Sequence, residues 1–214
     1  MADGRARSQP LSGIAIYMEG GGDGKENRAA LRQGMDTFLQ PLKDEARKKS
    51  LHWNLACCGS RDETFKRFRD AVNSSADAVN VLLIDAEGPV SQSPRRHLQD
   101  RDRWDLSSID EDTVHLIVQT MEAWIVADSE TLKRYYGQDF KENKLPKAAD
   151  LETVPKPTIK RSLDEATKDT QKGRYHKIGH ASDLLKRIDA EKVKARCCHC
   201  RRVFKALGRI VETA

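Results

Sequence analysis

The segment at residues 78–84, AVNVLLI, restricts the fold more than any other part of the chain. It is apolar at nearly every position, so both of its faces must be covered. That is the situation of a strand inside a sheet with helices on both sides. Around it the hydrophobic period switches between two and about 3.6. Residues 14–18 read as a first strand. Residues 26–39 read as a helix with Leu31, Met35, Phe38 and Leu39 on one face, and Pro41 marks a break. Residues 51–57 read as a second strand. Ser60 followed by Glu63 makes a capping box, opening a helix that turns Phe65, Phe68 and Val72 inward. Residues 113–119 read as a fourth strand, and 121–127 and 130–136 as helices. This alternation predicts an α/β fold, a mostly parallel sheet flanked by helices.

The remainder is organised by charge and proline. Residues 88–112 are polar and read as a long loop. Residues 145–160 carry three prolines and read as a tie to a basic tail. Helical periods follow at 162–170, 182–188 and 190–211, the last with Cys200, Val203, Phe204, Leu207 and Val211 on one face. The expected organisation is a flexible tail at 1–11, an α/β core at 12–144 and a basic helical part at 145–214 packed on that core. Residues 1–140 hold 19 Lys/Arg against 23 Asp/Glu, a net charge of −4, whereas residues 141–214 hold 19 against 10, a net charge of +9. An acidic half suited to cations is thus followed by a basic half suited to phosphates, which makes nucleic acid a natural partner. No apolar run approaches the roughly 18 residues of a membrane span. The five cysteines form no secreted disulfide pattern, and a reducing cytoplasm fits best.

The stretch IAIYMEGGGDGKENRAAL, residues 14–31, places one acid, Glu19, between a strand and a glycine-rich turn. A phosphate-binding P-loop would need Gly, four residues, then Gly-Lys-Ser/Thr. Here Glu19 stands five positions before Gly24, and Glu26 follows Lys25. The dinucleotide pattern fails as well, because its third glycine would fall at Lys25. An acid at the loop entrance repels phosphate unless a divalent ion lies between them. Glu19 therefore reads as a metal ligand, the plain alternative being a turn that happens to be rich in glycine. The third strand ends in LLIDAEGPV, putting Asp85 and Glu87 just beyond it, on the same side of an extended segment. The fourth ends near Glu122. Ligands of open α/β sheets collect at the carboxyl ends of strands. Three strand ends offering carboxylates to one rim suit Mg²⁺ or Mn²⁺, ions that activate water and stabilise phosphoryl transition states.

Strand, Glu, glycine-rich turn, then a later strand and Asp-x-acid resembles the Toprim domain of topoisomerases, primases and OLD-type nucleases. Glu19 matches its first acid and Asp85 the start of its second motif, while Glu87 stands where that motif carries a second Asp. The string VQTMEAWIVADSETLKRYYG, with the later ATKDTQKGRYHKIGHASDLL, is similar to a bacterial Toprim-like family that accompanies ABC-type ATPases in phage-defence gene neighbourhoods. The likeness spans residues 14–211. It implies a Toprim-like fold and a Mg²⁺-dependent nuclease-like effector, with Glu19, Asp85 and Glu87 holding metal and Glu122 as a further acid. An ABC-type ATPase would be its partner.

Lys177, in GRYHKIGH, is the lysine expected beside the scissile phosphate. Arg174, His176 and His180 are expected to help hold the backbone, and Arg61 follows a strand from which the same rim is within reach. Cys197 and Cys200 share helical spacing with an apolar face, which argues for burial rather than zinc. Trp124 reads as core, and Trp104, in the polar loop, as a base-stacking candidate. Two rivals to the nuclease stay open. One is a non-catalytic subunit that binds, and is regulated by, the ATPase. The other is a metal-dependent phosphoesterase acting on small nucleotides.

Overall fold

Alternation along the strands divides the buried side chains between two faces of one sheet. In the computed structural model, which describes residues 11–22, 24–74 and 77–214, four strands run parallel in the order β2-β1-β3-β4. They are β1 (Gly13–Met18), β2 (His52–Cys57), β3 (Ala78–Asp85) and β4 (Val114–Ile117). Ile14, Ile16, Val79, Val81, Leu83 and Ile117 face one cluster, whereas Leu82, Ile84, Val114 and Leu116 face a second. β3 is buried on both sides, as its apolar run requires. The chain is thus an all-parallel α/β protein flanked by helices, the class expected and one consistent with a Toprim-like fold.

The helices are α1 (Lys25–Phe38), α2 (Gln40–Lys48), α3 (Arg61–Ser74), α4 (Pro94–Asp102), α5 (Met121–Ala127), α6 (Ser129–Tyr136), α7 (Lys156–Thr167), α8 (Lys177–Leu185), α9 (Ala190–Arg196) and α10 (Cys198–Thr213). α3 and α4 cover the second cluster, and the first is shared by α1, α2 and the helices from α5 onward. Among the described residues no helix is long and apolar enough to cross a membrane. Residues 1–10 of the expected tail lie outside the described residues.

The break expected at Pro41 is there: α1 ends at Phe38 and α2 begins at Gln40, with Pro41 in its first turn, where a missing N–H costs nothing. Other local expectations change. The expected loop at 88–112 contains α4, opened by Pro94 and by the Ser93 hydroxyl, which accepts the Arg96 N–H at 3.3 Å. α4 is polar, and its hold on the sheet is Leu98, fully buried and worth about 1.5–3 kcal/mol by transfer. The capping box is half made: Ser60 accepts the Glu63 N–H at 3.3 Å, but the Glu63 carboxylate turns to Arg67 at 2.6 Å. α7 starts at Lys156, inside the expected linker, because Pro155 and Pro157 stand at its N-terminus, where proline is tolerated. The last helical stretch breaks at Cys197, whose extended backbone separates α9 from α10.

One glycine fixes a helix contact that matters for the site. A Cβ on Gly34 would lie 2.6 Å from the Ser182 carbonyl oxygen, so glycine lets α1 and α8 approach closely. That approach seats α8, which begins at Lys177, against the core.

Candidate functional site at the carboxyl edge of the sheet

β1 and β3 are neighbouring central strands, so their ends bring Glu19 and Asp85 to the same edge. The turn after β1 is possible because Gly20, Gly21 and Gly22 all take positive φ. The Gly20 N–H donates to the Gly59 carbonyl at 2.9 Å, tying this turn to the end of β2. Each of these glycines meets a backbone demand of the turn itself.

The period of two then separates the acids. Glu19 continues the parity of Tyr17, toward α3 and α4. Asp85 continues the parity of Leu83, toward α7 and α8. Glu19 Oε2 accepts from Arg61 Nη1 at 3.2 Å. The same nitrogen donates to the Asp85 backbone carbonyl at 2.6 Å, and Asp102 of α4 grips the guanidinium from behind at 2.9 and 2.8 Å. Arg61, opening α3, thus spans the ends of β1 and β3. Trp104 is engaged here too: its ring stacks on Phe65 with centroids 4.1 Å apart, and Arg61 lies 5.3 Å from its centre. One face of the expected base-stacking platform is therefore already covered.

On the other side, Lys177 Nζ lies 3.7 Å from Asp85 Oδ2 and 3.9 Å from Glu122 Oε1. Glu122, buried in the first turn of α5, accepts from the Tyr175 hydroxyl at 3.2 Å and from the Thr120 hydroxyl. Glu87 is not extended; its φ is 61°, and its carboxylate bonds Lys156 of α7. The structure therefore brings Glu19, Asp85, Glu87, Glu122 and Lys177 to one rim, but holds Glu19 and Glu87 on cations. Their oxygens do not form a closed cage. Among the described residues, three ligand atoms lie mutually within 4.8 Å only in Glu152, Cys198 and His199.

Asp85 is the centre of the electrostatics. Burial, opposed by Lys177 and reinforced by Glu122, Glu19 and Glu87, lifts its carboxyl from 3.8 to about 7. Burial likewise lifts Glu19 above the ordinary carboxylate range, against the pull of Arg61. Burial alone would lower the Lys177 ammonium, but Glu122, Asp85, Glu87 and Glu19 outweigh it and keep it charged. Among the described residues, no group donates a hydrogen bond to the Asp85 carboxylate, whose only ion-pair partner is Lys177. A buried carboxylate without a donor, flanked by three further acids, fits a hard divalent cation. Asp85 would hold such an ion, with Glu19 and Glu87 as the flanking oxygen donors.

This sets a pH dependence. Between 3.8 and about 7 the folded chain keeps a proton on Asp85 that the unfolded chain has lost, so this group's stabilisation is full below 3.8 and gone above about 7. Melting temperatures of wild type and Asp85→Asn, compared from about pH 4 to pH 8, should converge at the acid end and diverge at the alkaline end, wild type lower. Mg²⁺ should raise the wild-type melting temperature more at about pH 8 than at about pH 6, because the proton and the cation compete.

The basic part of the chain meets this rim. Lys156, Lys160, Arg174, His176 and Lys177 line a cavity of about 740 Å³ that Glu122 also borders. His180 does not join them: its Nδ1 lies 2.9 Å from the Tyr136 hydroxyl. Sequence reasoning missed Lys156, Asp102, Thr120 and Tyr175. Of these, only Tyr175 carried a signal, two residues before Lys177.

Fold and site together define an all-parallel α/β protein with a carboxylate–lysine centre at the carboxyl edge of its sheet. The chain belongs to the family described as Domain of unknown function (DUF4276), whose model matches residues 18–208. No curated protein and no solved structure matches it.

Proposed function

We propose that this chain is a Toprim-like, Mg²⁺- or Mn²⁺-dependent nuclease-like effector that hydrolyses phosphodiester bonds in nucleic acid. The observation that carries the reading is the pairing of a buried, donor-free Asp85 with Lys177 at the mouth of a cavity lined by basic side chains. The cations of the C-terminal part hold the backbone through its phosphates, a contact that positions the strand without reading its bases. Lys177 faces the phosphoryl oxygens on which charge develops. Glu122, fixed by Thr120 and Tyr175, holds Lys177 in place. When bound, the divalent ion supplies a polarised phosphate and an activated water. Arg61 spaces the ends of β1 and β3 and neutralises Glu19 until a cation replaces it. Its likeness to the defence-associated family supports an ABC-type ATPase partner and a place in anti-phage defence. Its five unpaired cysteines suit the cytoplasm.

The ion pairs Arg61–Glu19 and Lys156–Glu87 also favour a second reading. They hold two of the three expected ligands, as in a non-catalytic subunit regulated by its ATPase, or in an enzyme silent until its partner acts. One assay separates these. Labelled single- and double-stranded DNA and RNA, and small nucleotides, are incubated with Mg²⁺ or Mn²⁺, with the chain alone and with an ABC-type ATPase encoded beside it where its genome carries one. Metal-dependent cleavage of a polynucleotide is the expected result. Silence in every combination leaves the subunit reading, and turnover of nucleotides alone leaves the phosphoesterase.

A further inference from the structure

Outside the acidic rim, a second cluster gathers three different kinds of ligand. Glu152 lies in a short 3-10 turn, Leu151–Thr153, which Asp150 caps by accepting the Glu152 N–H at 2.9 Å. Its side chain is 5% exposed. Facing it is the start of α10, where the break at Cys197 turns Cys198 and His199 outward while Cys197 and Cys200 stay in the core. The two oxygens of Glu152 divide their contacts. Oε1 accepts the His199 backbone N–H at 2.8 Å, capping the helix. Oε2 lies 2.7 Å from His199 Nδ1 and 2.9 Å from Cys198 Sγ, and these two are 3.4 Å apart.

Capping α10 requires only Oε1. Gathering a thiol and an imidazole around the other oxygen adds nothing to the cap and produces a sulfur, a nitrogen and an oxygen facing one point. Ligands of a tetrahedral zinc ion, with bonds of about 2.0–2.3 Å, stand roughly 3.3–3.6 Å apart. The three atoms here need to spread by less than about 1 Å to admit one. Nucleophilic catalysis does not explain the grouping. A Cys–His–carboxylate relay needs thiol and carboxylate on opposite ring nitrogens, whereas here both address Nδ1. Thiolate and imidazole select a borderline transition ion over Mg²⁺.

We propose that Glu152, Cys198 and His199 form a Zn²⁺-type site, distinct from the acidic rim, with solvent at the fourth position. Binding displaces the Cys198 thiol proton to solvent, takes the imidazole through unprotonated Nδ1, and replaces the hydrogen bonds on Oε2. Oε1 keeps its bond to the helix and orients the carboxylate, the supporting contact metal ligands ordinarily have. The ion fastens the start of α10 to the 151–153 turn. That turn in turn receives Gln119 Nε2 on the Glu152 carbonyl at 3.2 Å.

The test uses the full chain, reduced, stripped with a chelator, and titrated with Co²⁺ and then Zn²⁺. Thiolate-to-cobalt charge-transfer absorption reports only a cysteine-bound ion, so cobalt on the acidic rim does not contribute. The wild type should develop this band to saturation at one equivalent, lose it when Zn²⁺ displaces Co²⁺, and retain stoichiometric zinc by elemental analysis. Cys198→Ser should lack the band, and Glu152→Gln should lower affinity by more than about 10-fold. Cys57→Ser, the thiol control on β2, should bind as wild type. Absence of the band and of retained zinc in the wild type overturns the proposal, whatever the variants do. A band that survives in a folded Cys198→Ser overturns it as well.

Discussion

Asp85→Asn should abolish metal-dependent cleavage and leave nucleic-acid binding nearly intact. The side chain sits at the end of the central strand β3, buried, without a hydrogen-bond donor among the described residues, and 3.7 Å from Lys177. Asparagine keeps its shape but removes the charge that would anchor a divalent ion. Loss of a supporting contact to a metal ligand typically costs about 10–100-fold. Loss of the anchoring ligand should exceed that. Binding is expected to survive because the proposed phosphate contacts come from the basic cavity, which Asp85 does not line. The variant should also fold well: the burial that lifts its carboxyl to about 7 penalises the charge that asparagine lacks. The measurement is cleavage with Mg²⁺ or Mn²⁺ beside equilibrium binding without metal, in the complete system if the isolated chain is silent. Cleavage at the wild-type rate would remove Asp85 from the site.

The strands were legible because burial on two faces leaves a mark that burial on one does not. Val79, Val81 and Leu83 alternate with Leu82 and Ile84, and only an interior strand needs both sets. Glu19 and Asp85 were legible for a related reason: a parallel sheet presents its carboxyl ends together, so acids after two strands are neighbours once those strands pair. Their separation to opposite faces follows from residue parity, but it requires the register, which only the paired strands supply. α4 was hidden because Leu98 is its one large buried side chain and the rest of PRRHLQDRD is polar. Its existence is what brings Asp102 to Arg61. Lys156 read as a linker lysine and Glu152 as a linker acid. Each gains its partner, Glu87 or the start of α10, only when residues distant in sequence are folded together.

If the rim takes a divalent ion as proposed, Arg61 and Lys156 make it a site whose flanking acids must first exchange partners. Each occupies one of the flanking acids, but only Lys156, which also lines the basic cavity, is placed to turn to phosphate; Arg61 is held by Asp102 and the Asp85 carbonyl. On the proposed function, a nucleic-acid backbone in the basic cavity would draw Lys156 away from Glu87 and leave that carboxylate to a divalent ion. In this arrangement substrate and ion favour each other's binding, because each relieves the charge the other must meet. A rim of acids without such cations would repel the polyanion that the proposed function brings to it.

Lys177→Ala should lower the cleavage rate by about 10²–10³-fold with little change in KM, if its ammonium meets charge that appears in the transition state. Its position allows this. It opens α8, its side chain is half exposed, and it faces both Asp85 and the basic cavity. The same substitution has a second consequence through Asp85. Lys177 lowers the Asp85 carboxyl, whereas Glu122, Glu19 and Glu87 raise it. Without the ammonium, Asp85 should hold its proton to higher pH, and the alkaline rise in activity should move upward. The two effects separate in a pH profile. Raising pH and metal concentration should recover the part of the loss due to Asp85 protonation, and leave the part due to phosphoryl charge. Lys177→Arg retains the charge, so its profile should return toward that of the wild type even if its rate does not. A structural role alone would instead lower the melting temperature of Lys177→Ala and leave the profile in place. Wild-type kcat for Lys177→Ala at every pH would end the assignment of this lysine to the reaction.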